Sequence, residues 1–166
     1  MSLRSCLFAL GLISVLSVVG CGGGNSVSIE PLVPVGGTLL VDGKSLDGVV
    51  VTFTPESSEN NRGGAGKTDA NGAFTVTHLN LNQPGLPPGN YTVTYSRMRL
   101  PDGSAAPELK EGEQPDPTNV QDETLPAHLT TPTPSADNQV KIPMDGNTKL
   151  QLEISVKMSG AGMVPG

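Results

Sequence analysis

The chain has no tryptophan, few aromatics and only two cysteines, Cys6 and Cys21, both near its start. Beyond residue 21 there is no thiol at all. That excludes an intramolecular disulfide and any cysteine-based catalytic or metal-binding cluster from the remaining 145 residues. A body so made must be held by its own apolar core. Basic residues are scarce too, and beyond residue 21 the 9 that remain face 16 acids, a net charge of −7. With no basic patch and no aromatic platform, nothing points to nucleic acid. Helical periodicity is missing after residue 20, which excludes a helix bundle and an α/β fold.

What is present first is an apolar run, Cys6 to Val19, behind the single basic residue Arg4. It is shorter than the roughly 20 residues of a membrane span and suits the core of a signal peptide. The run ends Val18-Val19-Gly20-Cys21. This resembles the bacterial lipobox, in which small residues precede a cysteine that is lipidated and becomes the new N-terminus. Cys21 carries the only thiol there that can take a thioether-linked diacylglycerol. Two or three acyl chains anchor a protein stably, where one holds it marginally. The bland alternative is an ordinary signal peptide with a chance cysteine. The expected division is a signal peptide over 1–20, a lipidated Cys21 with a flexible tether over 21–34, one domain over 35–158, and a loose tail over 159–166.

Within that domain, period-two alternation marks short strands. Val35–Val41 ends at Asp42-Gly43; Val49, Val51 and Phe53 alternate with Val50, Thr52 and Thr54. A short strand over about 65–69 leads to Asn71-Gly72, a dipeptide that turns a hairpin into a strand over 73–79. Over 90–99, Tyr91, Val93 and Tyr95 share one face and the threonines the other. Gln139–Ile142 is expected to pair through Asp145-Gly146 with a last strand running from Lys149 to Met158. All four aromatics beyond residue 21 fall on these strands, which assigns them to packing. Between the strands, 100–124 carries seven acids against Lys110 and four prolines, and reads as a mobile insertion. Leu125 to Ser135 reads as extended. Seven or so short strands without helix predict a β-sandwich.

Order and spacing also carry a family likeness: Val35-x-Gly37, Asp42-Gly43-Lys44-x-Leu46-x-Gly48-Val49-x-Val51-x-Phe53-x-Pro55, Gly66-x-Thr68-Asp69-Ala70-x-Gly72-x-Phe74, Pro88-Gly89-x-Tyr91-x-Val93. Together these resemble the carboxypeptidase regulatory-like domain, a transthyretin-like or prealbumin-like sandwich of Greek-key topology. Leu125-Pro126-x-x-Leu129 also resembles small lipoproteins of this kind, although these often place an aromatic at the position of Leu129. The likeness spans about 35–158.

It implies an appendage and not an enzyme. The zinc peptidase partnered by such domains needs His-x-x-Glu, but Leu81 follows His78 at that spacing and Thr131 follows His128. Both histidines therefore read as surface residues. A transthyretin-like hydrolase of hydroxyisourate uses several histidines and a Tyr-Arg-Gly-Ser terminus, which this sequence does not show. No Gly-x-Ser-x-Gly elbow occurs. Asp69-x-Asn71-Gly72 opens like a calcium loop, yet position twelve is Asn80 where a Glu is needed, so a plain turn is favoured. Asp116, Asn119, Asp122 and Glu123 match no known cation loop. The expectation is an all-β, lipid-anchored envelope protein on the periplasmic or cell-surface side. It has no cofactor, metal or catalytic residue, and its partners are the membrane through Cys21 and an envelope protein or glycan. A transthyretin-like hydrolase, or a cation or small-ligand carrier using the acidic insertion, are the alternatives.

Overall fold

The computed structural model describes residues 31–57, 61–107, 112–114, 116–135 and 137–156. The signal peptide, Cys21, most of the tether and the tail over 159–166 lie outside the described residues. The protein is all-β. Its strands are β1 (Val35–Val41), β2 (Lys44–Ser45), β3 (Val50–Pro55), β4 (Gly64–Lys67), β5 (Ala73–Thr75), β6 (Thr77–His78), β7 (Gly89–Ser96), β8 (Met98–Arg99), β9 (Asp122–Glu123), β10 (Gln139–Ile142) and β11 (Asn147–Ile154). One sheet runs β11-β1-β2 with β5 also beside β1; the other runs β10-β7-β3-β4-β6. Among the described residues only the β1–β11 pair is parallel, with Leu39 opposite Leu152 and Val41 opposite Ile154. Inward residues of both sheets form one core. At its centre Phe53 meets Phe74 of the other sheet at 6.3 Å and Tyr91 edge-on at 6.2 Å, the offset geometries that aromatic quadrupoles favour.

Alternation accounts for β1 and β3, where Val49, Val51 and Phe53 are fully buried. It fails for β7. Thr92 and Thr94 are buried as well, because β7 is central and its second face lies beside other threonines, Thr54 opposite Thr92 and Thr52 opposite Thr94.

Three of the five Asx-Gly pairs, Asp42-Gly43, Asn71-Gly72 and Asp145-Gly146, look alike in sequence and do different work. Asp42-Gly43 closes the β1–β2 hairpin, with positive φ at both residues (49° and 75°), as a two-residue turn matched to strand twist requires. Asn71-Gly72 does not join paired strands. Asp69 Oδ1 accepts from the amides of Asn71 and Ala73, and Asp69 and Ala73 close a three-residue loop with Gly72 at φ 74°. Before it, β4 belongs to the second sheet; after it, β5 belongs to the first. The expected hairpin is thus a crossing between sheets. Asp145-Gly146 also crosses, since β10 pairs with β7 and β11 with β1.

The expected single strand over 73–79 is split at Val76, which is fully buried and donates to Val35 O. Beyond it the chain returns to the second sheet as β6. Sheets come close at this corner. A Cβ on Gly66 would lie 2.5 Å from Thr75 O, so only glycine fits.

Thr68 anchors the corner. Its Oγ1 donates to Leu46 O (2.7 Å) and accepts from Val49 N (2.9 Å), while its backbone pairs with Gly48 and Val49. One side of the body is therefore closed by chain passing from sheet to sheet. The opposite side, between β7 and β11, is only partly closed. There β10 covers β7 from Gly89 to Thr92, and one further backbone bond, Val93 N to Asn138 O, ends the pairing.

The rest of that side is filled by the segment expected to be extended. It forms a helical turn, α1 (Ala127–Thr130), behind Pro126, whose φ of −62° suits a helix start. Leu125 is buried and Leu129 packs on the core from one turn later. The segment read as tether is also attached at its end, where Val33 exchanges backbone bonds with Leu86 and Pro34 O accepts from Asn147 N.

Thr68→Val keeps the side chain's volume and leaves two buried backbone groups without partners, so it should cost about 2–3 kcal/mol in urea unfolding. Asp69→Ala exposes its two amides to water and should cost about 1 kcal/mol. A larger loss for Asp69→Ala would refute the assignment of the anchor to Thr68.

Candidate functional site

Of the residues singled out in sequence, Cys21 lies outside the described residues. His78 does not fit its reading as a surface residue. It is fully buried in β6, and its Nδ1 accepts from the amides of Asn80 and Leu81 at 3.3 Å each. With Nδ1 as acceptor the neutral ring carries its proton on Nε2, which has no hydrogen-bond partner among the described residues. Val76, Thr77 and His78 switch sheets, and that switch turns the ring inward. His128 is exposed on α1, at the other side of the body. The structure does not bring the two histidines together. Asp69 is consumed by its turn. In the acidic insertion, Asp116 caps Thr118 and Asp102 caps Ser104. Among the described residues no three His, Cys, Asp or Glu side chains gather into a metal site.

The base of the insertion is pinned instead of loose. β8 pairs with β9, with Met98 opposite Glu123 and Arg99 opposite Asp122. Glu123 accepts from Ser96 Oγ, Arg97 N and Leu125 N. Asp47 holds two guanidiniums, Arg97 at 3.2 Å and Arg99 at 2.7 Å, and Arg99 is buried. Burial acts to raise both carboxyl pKa values. It is outweighed at Asp47 by the Arg97 hydrogen bond and the charges of Arg99 and Arg97, and at Glu123 by the Ser96 hydroxyl and neighbouring amides. Both end below the usual carboxylate range.

Two concavities offer themselves. One is a shallow groove of about 520 Å³ over β5, β1 and β11, floored by Gly36 and Gly37. It exists because side chains are missing, and Lys149 is its only charged residue. The other is a cleft of about 600 Å³ at the partly closed side, between β7 and β11 and under α1, within the size range of small-molecule sites. Val93, Tyr95, Leu129 and Ile154 supply its apolar lining. His128, Asp137, Glu153, Ser135, Ser155 and Asn138 supply polar groups. Tyr95 is 4 % exposed, and burial pushes its phenol up to about 12, so it is a neutral donor and acceptor near pH 7.

Among the described residues the cleft shows no paired nucleophile and base. Ser155 Oγ donates to Asp42 Oδ1 at 2.8 Å, and no histidine–serine hydrogen bond occurs among the described residues. Sequence reading missed this site because its walls come from residues 93–95, 128–138 and 153–155, which share no motif. The one available signal was the i, i+4 pair Leu125 and Leu129, too short to register as helix. No family model, curated protein or solved structure matches the chain.

Depressed carboxyls stabilise the fold above their unfolded pKa of about 4 and lose that contribution as pH falls through the lower folded value. Urea midpoints should therefore drop between about pH 4.5 and 2.5, and Asp47→Asn with Glu123→Gln should flatten that slope. At pH 7 Asp47→Ala should cost about 1–3 kcal/mol, less than a fully buried pair because Asp47 is half exposed. An unchanged acid slope in the double variant would contradict the pinning role.

Proposed function

We propose that the chain is an exported lipoprotein, anchored to a bacterial membrane through lipid on Cys21. Its body is a non-catalytic, structural or binding module facing the periplasm or the cell surface. The observation that carries this is the apolar run from Cys6 closing on Val18-Val19-Gly20-Cys21. The body's architecture supports it. Two sheets around one core, a parallel pairing of first and last long strands and a disulfide-free interior are compatible with a Greek-key sandwich of the carboxypeptidase regulatory-like, transthyretin-like kind. Among the described residues backbone pairing starts at Val33, which leaves residues 22–32 as the tether between anchor and body in this reading. Eleven residues reach at most roughly 40 Å. A body with net negative charge is held off an anionic bilayer surface, and such a tether gives it room to stand away.

A transthyretin-like hydrolase has one observation in its favour, the grouping of His128 with Asp137, Glu153 and two serines at the cleft. The hydrogen bond of Ser155 to Asp42 weighs against it, because a nucleophile must instead be paired with its base. Loss of a measurable ester turnover in His128→Ala would be needed to favour that reading.

The anchor is tested by palmitate labelling and fractionation. Wild type should label and sediment with membranes, and Cys21→Ala should lose both. Equal soluble secretion of the two would sink the proposal.

A further inference from the structure

We propose that the cleft between β7 and β11 binds a small amphipathic organic cation, an apolar or aromatic body ending in a protonated amine. This deepens the binding role proposed above and rests on it. The first support is architectural. The corner at Thr68–Val76 closes one side of the body with chain, whereas β10 stops at Gln139, opposite Thr92. Beyond the bond from Val93 N to Asn138 O no strand follows among the described residues, and Val93 and Tyr95 line an opening together with residues of α1 and the end of β11.

The second support is polar. The body's two tyrosines lie four residues apart on β7, and their hydroxyls differ. Tyr91 Oη is fully used, donating to Pro87 O at 2.6 Å and accepting from Asn61 Nδ2 at 2.7 Å. Tyr95 is 4 % exposed where Tyr91 is 0 %; its Oη has no hydrogen-bond partner among the described residues and is not fully enclosed, and the residue lines the cleft. A hydroxyl on so buried a side chain ordinarily has a partner. Here the position for that partner is the cleft itself, where a phenol oxygen would accept from an ammonium N–H.

The third support is charge. Asp137 and Glu153 line the cleft, and no lysine or arginine does. The long-range field agrees, the whole chain carrying −6. An anionic ligand would meet like charge here, and a bare metal ion would find too few gathered ligands. An ammonium on an apolar body suits the apolar lining and the acids together, the apolar part against Val93, Leu129 and Ile154 and the charge toward Asp137 and Glu153, with His128 at the rim beside them.

The two tyrosines supply the readout. Full-length protein with ring-labelled tyrosine, placed in zwitterionic lipid nanodiscs, gives two ring signals, and Tyr95→Phe identifies them. On titration with phenethylamine, the Tyr95 signal should shift saturably and the Tyr91 signal should stay. The shape-matched anion 3-phenylpropanoate should bind at least about tenfold more weakly. Asp137→Asn combined with Glu153→Gln should bring the two affinities to within about threefold. No saturable shift, equal binding of acid and amine in wild type, or joint movement of both signals would overturn the proposal. The Cys21→Ala chain, titrated in solution, separates this from the anchor. It should respond to the amine in the same way whether or not the lipid reading survives.

Discussion

A chain that passes from one sheet to another must satisfy its backbone while belonging to neither ladder, and Thr68 meets that constraint. Its hydroxyl serves Leu46 O and Val49 N at once, and its amide and carbonyl pair with Val49 and Gly48. The loop before β3 and the end of β4 become one rigid edge. Only from a fixed edge can the three-residue loop of Asp69 deliver Ala73 into the other sheet in register with Thr38. An apolar side chain at 68 would leave donor and acceptor stranded inside, which is why a β-branched hydroxyl residue suits the position.

Closing one side in this way leaves the other side to be closed by different means. First-sheet strands end at β11, and second-sheet strands end at β10, which is half the length of β7. A longer β10 would have completed the ladder and buried Tyr95 against a strand. Instead Pro126 and the turn of α1 place Leu125 and Leu129 over the gap. A strand in this place would have used its backbone to seal β7. A single helical turn bonds its own backbone and presents only side chains, so space remains beneath it. The cleft lies beside the end of the short β10, with Tyr95 in its lining.

Strand existence was legible because it depends on local alternation. β1 has the bounds expected of it, Val49, Val51 and Phe53 point inward, and the aromatics pack in the core. Strand partnership was not legible, because Asx-Gly supplies positive φ without stating which sheet receives the next strand. Asp42-Gly43 joins neighbours, while Asn71-Gly72 and Asp145-Gly146 cross. His78 departs from its reading as a surface residue although the alternation of Phe74 and Val76 continues onto it: the polar ring is accommodated inside because its Nδ1 accepts from the amides of Asn80 and Leu81. The base of the acidic insertion departs from its reading as mobile, because Arg97, Arg99 and Asp47 are too far apart in sequence to announce a cluster.

That cluster bears on how the cleft stays open. Leu125 N donates to Glu123, and Glu123 also accepts from Arg97 N at the end of β7. The start of the α1 segment is therefore tied to the same strand that carries Val93 and Tyr95. Its far end is tied as well, through Asn138, which accepts from Val93 N and Ser135 N and donates to Thr133 O. A segment held at both ends to one strand keeps its distance from β11 without touching it closely. Coulombic pairing around Asp47 holds Arg97 and Arg99, and so bears on one of those ends through the β8–β9 pair. In this body the acidic side chains near the insertion set the geometry of an apolar site more than they form a site of their own.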